Sequence, residues 1–150
     1  LTARTFEVLA ASPHLVGLRT LVIGRSLSAR WTTTVIDLDG ARALAQWPHR
    51  QLRTLMLEHC QLDVEGAALL GASPHLARLE LLVIGTFDWS EGDGWLEALL
   101  HPLPVTSRIV VMYESALATA VLMRLGFRVT AESADPDLVG HFGSREIWER

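Results

Sequence analysis

One cysteine, Cys60, stands among 150 residues, so no internal disulfide can form and nothing implies an oxidising compartment. The Cys/His spacing of a zinc site is missing too. Positive charge is scarce: 13 basic against 17 acidic residues give a net charge of −4. Nucleic acid needs clustered Lys and Arg on a basic surface, so no nucleic-acid partner is expected. No apolar run approaches the ~18–20 residues that span a bilayer, and no basic segment leads into an apolar signal core at the N-terminus. A cytoplasmic location with no membrane partner follows. The nucleophile elbow G-x-S-x-G, the phosphate loop and H-E-x-x-H are all absent. We therefore expect no catalytic residues, no cofactor, no metal and no small-molecule substrate. The chain starts at Leu1 rather than Met, which suggests a processed or truncated piece.

What the chain does contain is repetition. With 49% apolar and 20% charged residues it has the makings of one buried core, in one domain. Ser12-Pro13-His14-Leu15-Val16-Gly17-Leu18-Arg19-Thr20-Leu21-Val22-Ile23-Gly24 returns as Ser73-Pro74-His75-Leu76-Ala77-Arg78-Leu79-Glu80-Leu81-Leu82-Val83-Ile84-Gly85. Between them Trp47-Pro48-His49 leads into Leu52-Arg53-Thr54-Leu55-Met56-Leu57-Glu58-His59-Cys60, one residue shorter. Leu55 and Leu82 are 27 apart, and a further 27 lands on Ile109. An independent marker, acid-Gly followed by seven residues and Pro, runs from Asp39-Gly40 to Pro48, Glu65-Gly66 to Pro74 and Asp93-Gly94 to Pro102. Periods of this size mean stacked units.

Each unit reads as strand, turn, helix, turn. Alternating apolar residues rich in Val, Ile and Thr favour a short strand. An acid beside the helix start suits the dipole, and Gly40, Gly66 and Gly94 permit a tight turn into the helix. Helices are expected over 41–45, 67–70 and 95–100, each ended by the approaching proline. Units fall near 12–38, 47–70, 73–100 and 102–126, with 127–150 as a C-terminal cap. Such a unit cannot bury its apolar edge alone, so Leu21/Ile23, Leu55/Leu57, Leu82/Ile84 and Ile109/Val111 should form inward columns with Leu18, Leu52 and Leu79 beside them. Thr106 makes the fourth unit degenerate. Leu21 and Leu55 are 34 apart, and the surplus in Arg25–Leu38 reads as an enlarged loop with a small outer strand around 32–36. Helices are expected over Thr2–Ala11 and Ser115–Leu125, the latter stopped by Gly126 and followed by a strand at Phe127–Thr130. After the turn at 134–137, Arg145–Arg150 either pairs or dangles.

These residues carry a family resemblance: the chain resembles leucine-rich repeats of the ribonuclease-inhibitor-like type, in the bacterial form with Ser-Pro-His-Leu-x-x-Leu-x-x-Leu-x-Leu and Glu-Gly-Ala-x-x-Leu segments, over about residues 12–112. The resemblance implies an α/β fold, a short right-handed leucine-rich-repeat solenoid, with a parallel sheet on the concave face of a horseshoe segment and short helices on the convex face. It also implies a non-catalytic scaffold for protein binding. The family's Asn/Cys turn position falls on Ser26, Cys60, Phe87 and Glu114; Cys60 and Ser26 match it, whereas Phe87 and Glu114 depart from it.

The residues between the inward leucines should line the concave face, in rows Thr20/Thr54/Leu81/Arg108, Val22/Met56/Val83/Val110 and Gly24/Glu58/Gly85/Met112. Contiguous exposed apolar surface marks an interface, and Arg19, Arg53, Arg108, His59 and Tyr113 would rim it. We take Val22, Thr54, Met56, Glu58, Leu81, Val83, Arg108, Val110 and Met112 as the candidate surface for an unknown protein or peptide. The competing readings are that Val and Met there merely reflect strand propensity, or that another domain covers them. His14, His49 and His75 share one repeat position, where Pro-His caps a helix end rather than binding metal. Cys60 reads as a small buried turn residue. Asp88, Glu91 and Asp93 lack calcium-loop spacing and read as solvated turn acids. Two further functions stay open: a spacing or end-capping segment of a longer array, and an acetyl-CoA-dependent N-acyltransferase, which Leu125-Gly126-Phe127 resembles over about a dozen residues but without the Gly-rich pyrophosphate loop.

Overall fold

The computed structural model describes residues 2–24, 34–47, 51–58, 60–85, 94–103, 108–111, 116–132 and 146–149. Among these residues the chain is mixed α/β, with five α-helices: α1 (Ala3–Ala10), α2 (Leu38–Ala45), α3 (Val64–Gly71), α4 (Gly94–Leu100) and α5 (Ala116–Arg124). The strands are β1 (Thr20–Ile23), β2 (Thr34–Val35), β3 (Thr54–Leu57), β4 (Cys60–Gln61), β5 (Leu81–Ile84), β6 (Arg108–Val111), β7 (Arg128–Glu132) and β8 (Glu146–Glu149). The principal sheet runs β1-β3-β5-β6-β8-β7. Its first four strands are parallel, and β8 is antiparallel to both neighbours.

The register places equivalent residues of successive units in file. Leu21 pairs with Leu55, Leu55 with Leu82 and Leu82 with Ile109, and β8 extends the file with Trp148. Leu55, Leu57, Leu82, Ile84, Ile109 and Trp148 share one core with Ala41, Leu44, Ala67, Leu70, Leu96, Leu99, Val121 and Leu122 from the helices. Helices α1 to α5 pack each against the next. A period-2 strand puts these residues on one face, so the helices cover that face as a second layer.

Helices α2, α3 and α4 begin earlier than expected. In α2 and α3 the cap is Asp37 and Asp63, whose carboxylates accept from the backbone N–H of Gly40 at 2.7 Å and of Gly66 at 2.6 Å. The two glycines therefore lie inside the first turn rather than shaping the approach to it. Gly66 is needed for closeness: a Cβ there would stand 3.0 Å from Asp63 Oδ1 and 3.1 Å from the Ala41 Cβ of α2. The equivalent cap of α4 lies outside the described residues.

At the far end α5 stops as expected. Gly126 takes φ +85°, its N–H donates to Met123 O and that of Phe127 to Leu122 O, which is the Schellman arrangement. The strand that follows does not continue the stack, however. Strand β8 inserts between β6 and β7, so β7 is not the neighbour of β6 and the parallel series ends at β6. The C-terminal segment thus pairs on both sides. Of the 25–38 insertion, β2 is present and pairs in parallel with β4, through Thr34 with Cys60 and Val35 with Gln61; residues 25–33 lie outside the described set.

Candidate interaction face

The rows expected on the uncovered side of the sheet are the rows of Cα partners: Thr20, Thr54, Leu81 and Arg108; then Val22, Met56, Val83 and Val110. Their accessibility corrects the expectation of an open apolar stripe. Val22 is 40% exposed, but Met56 is only 9% and Val83 0% exposed. The middle of the row is interior. Strand β8 adds Ile147, buried and partnered with Val110, to the same row. The alternating Glu146-Ile147-Trp148-Glu149 pattern is the sequence signal for it.

Glu58 is likewise not a surface residue, at 5% exposed. It sits between two glycines. A Cβ on Gly24 would fall 1.7 Å from Glu58 O, and one on Gly85 would fall 2.9 Å from Glu58 Cα and 3.3 Å from its Cγ. The bare backbones on either side are what let this residue close in. Its N–H donates to Ile23 O at 2.9 Å.

Among the described side chains the accessible part of the face is its β1 corner: Thr20 and Val22 exposed, Thr54 and Leu81 half-buried, with Arg19 exposed at the rim. Arg53, beside Arg19, pairs with Glu80 at 3.1 Å. The strand backbones of Arg108 and Val110 continue the rows, but their side chains, and Met112, His59 and Tyr113 entirely, lie outside the described residues, as do Phe87, Asp88, Glu91, Asp93, Glu114 and Ser26.

Cys60 is buried as expected, but it opens strand β4 rather than lying in a turn. Its Sγ–H lies 3.4 Å from Glu58 O and 3.5 Å from Ile23 O, tying the ends of β1 and β3 together. Burial pushes the thiol from its ordinary 9.0 up to about 12, so it is a protonated packing group rather than a nucleophile. His14 is exposed, His75 half-buried and His49 outside the described residues. Among the described residues no group of three or more His, Cys, Asp and Glu side chains is placed to hold a metal, and no helix is long and apolar enough to cross a membrane.

In the Ser-Pro-His-Leu turn the working residue is the serine, which sequence reasoning passed over in favour of the histidine. Ser73 is buried, and its hydroxyl donates to Ala45 O, the last carbonyl of α2. Its own backbone oxygen accepts from Ala77 N at 3.0 Å, which holds the turn. The recurrence of Ser at positions 12 and 73 was the available signal. Leu125-Gly126-Phe127 is accounted for by the helix stop described above. Comparison of the chain with protein-family models, with curated proteins and with solved structures found no match in any of the three.

Proposed function

We propose that the chain is a non-catalytic interaction module of leucine-rich-repeat type, a short solenoid that binds a protein or peptide at the β1 corner of its sheet. The observation that carries this reading is the in-file register of Leu21, Leu55, Leu82 and Ile109 across four parallel strands. Stacked units of this kind hold a rigid row of side chains at ~5 Å intervals, which suits an extended partner. The binding surface is narrower than the sequence rows: Thr20, Val22, Thr54 and Leu81, with Arg19 and Arg53 at the rim. Met56, Val83 and Glu58 support that corner from inside.

The test compares Val22→Asp and Leu81→Asp with the unmodified chain in cross-linking and capture from the source cell, with circular dichroism as the folding control. Loss of the same captured protein in both folded variants supports the reading, and unchanged capture overturns it. A second reading, a segment of a longer repeat array, is favoured by one observation. Leu52, Leu55, Leu79 and Leu82 are buried, whereas Leu18 and Leu21, at the same places in the first unit, are only half-buried.

A further inference from the structure

We infer that the carboxylate of Glu58 anchors an arginine side chain of the partner, which reaches it along the β1 corner of the sheet. The inference rests on the reading of that corner as the binding surface, and it names the chemistry of what is bound there.

The backbone of Glu58 is engaged while its side chain is not. Its N–H donates to Ile23 O at 2.9 Å, and its carbonyl oxygen lies 3.4 Å from the Cys60 thiol. The residue is 5% exposed, yet its carboxylate accepts no hydrogen bond and forms no ion pair among the described residues. A carboxylate withdrawn from water without a partner is costly, and a cation supplied from outside relieves that cost. Among the described residues the side-chain atoms that are both sealed and without a hydrogen-bond partner are all indole N–H groups. The Glu58 carboxylate is therefore recessed rather than sealed.

Its surroundings leave a lane to it. The side chain lies along the bare backbone of Gly85, where a Cβ would stand 3.3 Å from both Cβ and Cγ of Glu58. On the other side Gly24 also carries no side chain and is half-buried. Gly24 continues the column of β1 in which Thr20 and Val22 are exposed. From Val22 to Gly24 the strand advances ~7 Å, which is the reach of an extended arginine. The apolar stem of that arginine lies on Val22, and its guanidinium donates two parallel N–H groups to the carboxylate.

The described cations of the corner do not fill this place. Arg53 is paired with Glu80 at 3.1 Å. Arg19 stands at the opposite end of β1, roughly 16 Å from Gly24 at the rise of a strand. A metal ion fits less well, because one carboxylate is a single ligand and no group of three or more His, Cys, Asp and Glu is assembled among the described residues. Lysine brings the same charge as a point, whereas the arginine fork matches a lone carboxylate with two donors.

The first arm of the test is the melting temperature of free Glu58→Gln protein. The change removes an uncompensated charge and keeps the shape, so the variant should melt no lower than the parent. A fall of about 4 °C or more would show a carboxylate already satisfied within the chain and overturn the inference. The second arm is an NMR titration with a short blocked peptide of alternating threonine and valine that carries one central arginine. Its control is the same peptide with citrulline, which keeps the shape and loses the charge. The arginine peptide should bind the parent about tenfold more tightly than the control and shift the amides of Gly24, Glu58 and Gly85; Glu58→Gln should erase that preference. Equal binding of the two peptides, no binding of the arginine peptide, or a preference that survives in Glu58→Gln each overturns the inference. So do the same amide shifts with calcium chloride alone, which would make the occupant a metal ion. If Val22→Asp and Leu81→Asp lose the captured protein while Glu58→Gln keeps it, the arginine is refuted and the corner stands. Loss with Glu58→Gln alone refutes the corner and leaves the carboxylate as the anchor.

Discussion

Gly24 is the residue on which the junction of the first two units turns. It holds φ +91°, and a Cβ there would sit 1.7 Å from Glu58 O. Gly24→Ala combines left-handed strain with a backbone collision, and a loss of roughly 2–4 kcal/mol is expected, read as a fall in the urea midpoint. Val83→Asp, at a fully buried position, should unfold the protein rather than probe a surface, at a cost of about 3 kcal/mol or more. A folded Val83→Asp variant with an unchanged melting temperature would contradict the burial. Cys60 makes a prediction about pH. Its thiol is raised from 9.0 to about 12 by burial, so between those values the native state holds a proton that the unfolded chain has released. The stability linked to Cys60 is therefore complete below pH 9 and declines as pH rises from there towards 12. Alkylation by iodoacetamide at pH 8 should be slow in the native protein and fast in denaturant; rapid native labelling would show an accessible thiolate. The burial of Cys60 was legible from its place in the L-x-x-L-x-L-x-x-C run. The burial of Met56 and Val83 was not, because a strand's pattern says which residues share a face but not what the rest of the chain lays over it.

The helices are set by short-range chemistry that recurs in the sequence. Asp37-x-Asp39-Gly40 and Asp63-x-Glu65-Gly66 each place a cap carboxylate three residues before a glycine N–H. Asp63→Ala should cost about 1 kcal/mol, and Asp63→Asn or Asp63→Ser should restore most of it, since both accept the same bond. Equal loss in all three variants would show that the cap is not the cause. The ion pairs on these helices, Arg42 with Asp39 and Arg124 with Glu97, both 2.6 Å and largely solvated, should matter little by comparison. Asp39 and Glu65, read as acids suiting the helix dipole, do lie in the first turns, but the capping aspartates went unread, because only geometry separates a cap from a first-turn acid. Strand positions were more readable. The 27-residue step gave the partners of Leu55, Leu82 and Ile109 directly, since a one-residue slip would turn every leucine to the other face. Ser73 shows the converse: its bond to Ala45 O joins residues 28 apart in sequence, a distance at which no local pattern speaks.

At the scale of the whole molecule the sheet is built in two ways. Four strands follow chain order, and then the order breaks, because β8 lies between β6 and β7. That break was invisible in the sequence: Glu146–Glu149 alternates like many strands, and nothing in four residues says which two neighbours they will separate. The buried indole N–H of Trp148 has no acceptor among the described residues, and an unpaired donor costs about 1–3 kcal/mol. Trp148→Phe should then be tolerated better than its volume loss suggests, within about 1 kcal/mol of the parent by thermal melting. A large loss would mean that the ring's shape outweighs its orphaned donor. The insertion also orders events in time. A ribosome releases β7 well before β8, yet β7 has no seat in the sheet until β8 has taken the place beside β6. While translation is under way the parallel strands β1, β3, β5 and β6 can assemble from the N-terminal side in sequence, whereas Arg128–Glu132 must wait for Glu146–Glu149 to emerge.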